Sequence, residues 1–167
     1  MSEFEYNPSC LLLGSGGTNT KTTGMANQGE YYTLEFPDFA TKQIPFGNGV
    51  SYDQVNNPNN FQFSQKGVFL VQTMFTLQGG ANDEYKLRLY NNKTQKELDY
   101  TEIYFSTKGT NYWEVQNMFL LYNDGFLKDN SAFLSYNITY SYQIQRVINA
   151  VGNITINNMN VIIYKIA

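Results

Sequence analysis

The residues able to do chemistry are few in this chain, and the missing types narrow the field first. It has no histidine, a single cysteine (Cys10) and only two arginines, Arg88 and Arg146. A serine or cysteine nucleophile would therefore need a lysine or terminal amine as its base. Cys10 stands beside Leu11-Leu12-Leu13, where a thiol behaves as a small hydrophobe. Zinc in its common forms lacks His and Cys ligands. Paired carboxylates are sparse: Asp83-Glu84 adjoin in a turn, and Glu97 and Asp99 share one face of a strand start. The stretch Gly14 to Thr22 imitates a phosphate loop, but Thr20 precedes Lys21 and Ser15 stands where the first glycine belongs. No cofactor, metal or catalytic set is assigned, and the chain reads as a non-enzyme.

Two loops could still hold a ligand. Asn111, Tyr112 and Trp113 combine amide and planar aromatic groups suited to stacking on a sugar. Asn123, Asp124, Asp129 and Asn130 offer oxygens to a hard cation, without the spacing of an EF-hand; Asp124 and Asp129 are the acidic members of that candidate ligand loop.

The elements that must position these groups are strands. Leu134 to Gln145 alternates apolar Leu134, Tyr136, Ile138, Tyr140, Tyr142 and Ile144 with Ser, Asn, Thr and Gln. Only a strand gives that pattern a use, because its side chains change face at every residue. The length predicts a bend or bulge inside it. Further strands are predicted at 30–36, near 50–52, over 61–78, 85–90, 98–107, 113–122 and 159–166. Gly-, Asn- and Pro-rich turns separate them, and Asn157-Asn158 reads as a turn before the last. The second half of 61–78 is apolar on both faces, as in a central strand. The fold class expected is all-β, a two-sheet antiparallel β-sandwich with jelly-roll topology. Residues 1–29, rich in Gly, Thr and Asn, read as an extended arm lying on a neighbour, and residues 30–167 as one domain.

The totals bound the partners. Hydrophobic residues make up 42% and charged ones 15%, below the globular norm of about 25% charged. Tyr (14) and Phe (12) are abundant, which suits packed interfaces. A net charge of −3 without any basic run argues against nucleic acid. No apolar run is long enough to span a bilayer. Met1 to Glu5 starts acidic without an apolar core, which predicts no secretory signal and a protein made in a cytosol.

Three segments resemble a known family. Phe61-x-Phe63-x-x-x-Gly67-Val68-Phe69-Leu70-Val71 is similar to the aromatic, glycine, apolar strand of tumour necrosis factor-like and complement globular-head domains. Met118 to Leu121 before Asn123-Asp124-Gly125 resembles their leucine-rich strand and turn, with Asp-Gly in place of Gly-Asp. Ile162 to Ile166 resembles the closing strand of viral and phage members. The resemblance implies a ten-strand jelly roll that packs as a homotrimer through an aromatic seam. It also implies a place in a virion, as a minor capsid, penton or spike-head component with other capsid proteins as partners. The residues assigned to core or seam are Phe69, Val71, Phe75, Tyr136, Tyr140, Tyr142 and Tyr164. The alternative is a head domain that binds a surface glycan or receptor. An exposed Trp113 favours that alternative, and a buried one favours the structural role.

Overall fold

The computed structural model describes residues 9–14, 20–39, 41–46, 49–80, 83–107, 112–123, 126–127, 134–135, 137–148 and 152–167. The described regular elements are all strands. They are β1 (Cys10–Gly14), β2 (Lys21–Met25), β3 (Tyr31–Thr33), β4 (Thr41–Phe46), β5 (Val50–Ser51), β6 (Phe61–Phe63) and β7 (Gly67–Gln78). The second half supplies β8 (Glu84–Asn91), β9 (Lys96–Ser106), β10 (Tyr112–Asn123), β11 (Phe126–Leu127), β12 (Leu134–Ser135), β13 (Ile138–Ile148) and β14 (Gly152–Lys165).

Twelve of these strands build two six-stranded sheets, ten of them on the main paths. Sheet I runs β10-β7-β14-β1-β4, and sheet II runs β5-β6-β13-β8-β9. Every pairing is antiparallel. Consider β1, β6, β7, β8, β9, β10, β13 and β14 in chain order. The first, eighth, third and sixth lie side by side in sheet I, and the second, seventh, fourth and fifth in sheet II. Consecutive strands thus cross between layers as two Greek keys do, which is a jelly roll. Two short strands extend the edges in line. β2 follows β1 along β14, pairing 152–156 while β1 pairs 160–164. β3 shares β13 with β6 in the same way.

The core lies between the layers and follows the period of two. Sheet I contributes Leu11, Leu13, Phe69, Val71, Phe75, Leu77, Val115, Leu121, Ile154, Ile156, Met159, Val161 and Ile163, and sheet II contributes Phe61, Phe63, Tyr85, Leu87, Leu89, Ile138, Tyr140, Tyr142 and Ile144, all buried. Aromatic edges interlock there. Phe63 meets Phe69 at 4.8 Å and Tyr140 at 5.3 Å, both near perpendicular, a geometry that adds to area burial. Thr73 of sheet I and Tyr142 of sheet II share a buried hydroxyl–hydroxyl hydrogen bond of 2.9 Å across the gap.

Three sequence expectations change. Residues 10–14 and 21–25, assigned by composition to an arm, are strands bonded to β14. Leu11 and Leu13 enter the core, so five residues of alternation were enough to make a strand. The predicted turn at Asn157-Asn158 lies inside β14. A register shift between Ile156 and Asn158 is a bulge that moves burial from even positions (Ile154, Ile156) to odd ones (Met159, Val161, Ile163). The long run from Leu134 is divided: Leu134–Ser135 pairs with β11, and the sheet strand starts at Ile138. Tyr136 lies outside the described residues.

Candidate functional site

The sandwich offers two outer faces, and strand parity decides what each displays. In β7 and β14 the buried set Phe69, Val71, Phe75, Val161 and Ile163 leaves the intervening side chains to the outside of sheet I. The outward row of β10 is Glu114, Gln116, Met118, Leu120 and Tyr122. Register places Leu120 beside Leu70, Leu70 beside Tyr164, and Tyr164 beside Cys10. One step along, Met118, Gln72, Ile162 and Leu12 line up in the same way. Met118 is 65% exposed and Tyr122 64%, and Leu120, Ile162, Tyr164 and Ile166 are also open. Lys66, Val68 and Tyr122 line a shallow apolar hollow at the margin of this patch. Toward the other end the face turns polar, with Glu114, Thr76, Asn158 and Asn160 around a small recess. Cys10 sits half-buried on the apolar part, and burial pushes its thiol up, away from reactivity.

The outside of sheet II is polar and cross-linked. The Arg88 guanidinium lies 3.5 Å above the centre of the Tyr31 ring, and its Nε donates to Gln143 Oε1 at 3.0 Å. Tyr31 donates its hydroxyl to Glu102 at 3.0 Å, and Lys86 stands 3.9 Å from the same carboxylate. Burial, then the bond to Glu102, pushes the Tyr31 phenol above its usual range. Tyr100 and Tyr104 on β9 are more than half exposed. Further along, Asn92 donates to Asn60 at 3.1 Å and accepts from Ser141 at 3.0 Å.

Beneath the same sheet lies a buried ionic cluster. Arg146 continues the inward row of β13 and is 2% exposed. Its Nη2 donates to the Tyr85 hydroxyl at 3.3 Å, and that hydroxyl donates to Asp83 Oδ2 at 2.9 Å. Arg146 Nε lies 3.5 Å from Asp83 Oδ2, an ion-pair contact longer than a good hydrogen bond. Nε and Nη1 have no hydrogen-bond acceptor among the described residues. Thr107 accepts the Asp83 amide at 2.6 Å and ties this turn to β9. Sequence reasoning treated Asp83 as a turn carboxylate and passed over Arg146. The one available signal was an arginine at an even position after Ile144, in phase with the buried row.

The candidate residues separate accordingly. Phe69, Val71, Phe75, Tyr140 and Tyr142 all face inward and lie in the core. Of the seven, Tyr164 is the described residue on an outer face, 39% exposed. Tyr136 is outside the described residues, as are Asn111, Asp124 and Asp129. Tyr112 pairs with Gln78 at the start of β10. Trp113 is partly buried against the core, between the two outcomes that would separate a binding from a structural role. Asn123 turns inward, donating to Gln65 O at 2.8 Å. Among the described residues no three His, Cys, Asp or Glu side chains converge as metal ligands. No helix of the described residues is long and apolar enough to cross a membrane.

No family model and no curated protein matches the chain. Among solved structures it is similar to a carbohydrate-binding module (CBM6) of Cellvibrio mixtus lichenase 5A in complex with cellotriose. Identity there is 11%, coverage 90% of this chain and 94% of that one, and the TM-score 0.39. The C-terminal CBM6 of LamC, a laminarinase from Zobellia galactanivorans, gives 11% identity, 86% and 98% coverage and a TM-score of 0.32. The Clostridium thermocellum xylanase 10B CBM22-1 and GH10 modules, complexed with xylohexaose, give 10%, 93% and 28%, and 0.36. Likeness at these scores carries no functional argument, and the jelly roll rests on the strand order above.

Proposed function

We propose that the chain is a non-enzymatic jelly-roll head that joins copies of itself through the outer face of sheet I and offers the outer face of sheet II to a ligand. The observation that carries the first half is the row Met118, Leu120, Tyr122, Ile162, Tyr164 and Ile166. These side chains form one contiguous exposed apolar row, the kind of surface that marks an interaction site. Burying that surface in a closed assembly removes it from water. A trimer is the assembly that the family resemblance implies. A virion spike or minor capsid is the setting, with other capsid proteins as neighbours. That setting rests on the resemblance and on composition.

The absence of catalytic work is supported by how the candidate groups are occupied. Asp83 is held by Tyr85 and Arg146, and the Cys10 thiol is pushed up. Glycan recognition is the second half of the reading. Tyr100 and Tyr104 favour it, being open rings on a rigid polar sheet. The experiment is light scattering coupled to size exclusion across a dilution series. A mass three times 19.2 kDa that persists on dilution supports the reading, and a monomer at every concentration removes the assembly half.

A further inference from the structure

Arg88 differs from the other cations of its face. Lys86 has Glu102, whereas Arg88 has no carboxylate partner among the described residues. Its plane is held by the Tyr31 ring and its Nε by Gln143, which leaves the two Nη groups as a fork with no hydrogen bond among the described residues. A guanidinium fixed in this way has already lost the rotamer freedom that binding would cost, and its fork matches a carboxylate in two parallel bonds. Tyr104 pairs with Lys86 across β8 and β9. Arg88 lies two residues beyond Lys86, at the bulge where the register shifts between Leu87 and Leu89. The Tyr104 ring is 53% exposed. A pyranose ring laid on Tyr104 would carry its carboxylate toward the fork of Arg88 on the same face.

We propose that the outer face of sheet II binds an acidic saccharide, a uronate or sialate, with its carboxylate on Arg88 and its ring on Tyr104. This rests on the reading of that face as the ligand face. Glu84 accepts from Tyr104, and Glu102 and Asp99 lie close to Tyr31. Lys86 and Arg88 therefore face three carboxylates, and the general field does not attract an acid. Selection comes from the fork.

The test is NMR titration of the ¹⁵N-labelled full chain with 3′-sialyllactose, a glucuronate-terminated disaccharide and lactose. At least one acidic probe binds tenfold or more tighter than lactose. Arg88→Lys, which keeps the charge and loses the fork, brings it to the lactose level. Tyr104→Ala weakens acidic and neutral probes alike. Equal binding of acidic probes and lactose overturns the acid site and leaves glycan recognition standing. Binding of none overturns both. Acid binding that survives both Arg88→Lys and Arg88→Gln places the site elsewhere and overturns the proposal, as does capture of a Glu-rich peptide with no response to either acidic sugar.

Discussion

The two outer faces of one sandwich have opposite chemistry although both come from antiparallel strands of the same period. Sheet I turns Met118, Leu120, Tyr122, Ile162 and Tyr164 outward, and none of these carries a charge. Sheet II turns out Lys86, Arg88, Glu102, Gln143 and Tyr104, held by hydrogen bonds across strands. A sheet with one face in water reads as clean alternation, whereas a sheet covered on both faces reads as a continuous apolar run. β13 follows the first rule and the lower half of β10 the second. The proposed assembly covers sheet I and leaves sheet II wet. Inside, the buried arginine, Arg146, belongs to a sheet II strand, whereas the buried polar groups of sheet I, Thr73, Asn117 and Asn123, are uncharged.

The largest effect is expected from removing part of sheet I. Deleting residues 1–28 takes away β1 and β2, which cover one whole edge of β14, with Leu11, Leu13 and Met25 from the core. Each buried aliphatic lost costs about 2 to 5 kcal/mol, against a total stability of about 5 to 15 kcal/mol. The truncated chain is expected to be insoluble; a folded product by circular dichroism would restore the arm. Deleting the last eight residues removes the final six residues of β14 and has the same expected outcome.

Next is the face itself. Leu120→Lys with Ile162→Lys places two ammonium groups in the apolar patch. The mass in solution is expected to drop from three chains to one, with the melting temperature of the monomer little changed. The matched change on sheet II, Gln143→Lys, leaves the mass as it was. A change in mass from the sheet II substitution alone would invert the assignment of faces.

How far sequence could go is visible in these residues. The alternation of 138–145 announced sheet II and its buried row. The second half of 61–78, apolar on both faces, announced a central strand, and the number of strands separated by turns announced a two-sheet jelly roll. What pattern alone could not supply was parity. Phe69, Val71 and Phe75 were candidates for the seam along with Tyr164, yet one residue of offset separates core from surface. In β14 a bulge exchanges the two partway along. Arg146 stayed hidden because an arginine is assigned to water unless its partners are known, and Asp83 is 63 positions away in the chain. Cys10 to Gly14 was hidden by its neighbours, whose Gly and Thr content reads as loop.

Breaking the inner polar set should cost less than losing a strand and more than any surface change. Asp83→Ala leaves Arg146 buried without a counter-charge and is expected to cost about 3 to 5 kcal/mol in urea unfolding. The double substitution Asp83→Leu with Arg146→Met is expected to recover most of that, because an apolar pair needs no desolvation of charge. A double variant no more stable than the single would show that the cluster fixes the turn at Thr107 rather than merely tolerating its own burial.

The smallest effect separates the two sheets at a single hydroxyl. Tyr142 reaches from sheet II to Thr73 of sheet I, and burial holds its phenol far above the usual value of 10.0. Tyr142→Phe deletes that bond and leaves Thr73 Oγ1 unsatisfied, an expected loss of about 1 to 3 kcal/mol near neutral pH. The folded state keeps this proton more tightly than the unfolded chain does. The wild-type chain therefore holds the full contribution below pH 10 and loses stability as pH rises above it, by about 1.4 kcal/mol per pH unit for one such group. The phenylalanine variant lacks that group, so its deficit should narrow steadily between pH 10 and 12 in denaturant titrations. A deficit independent of pH over that range would mean that Tyr142 ionises in the folded state and that water already reaches the seam between the sheets.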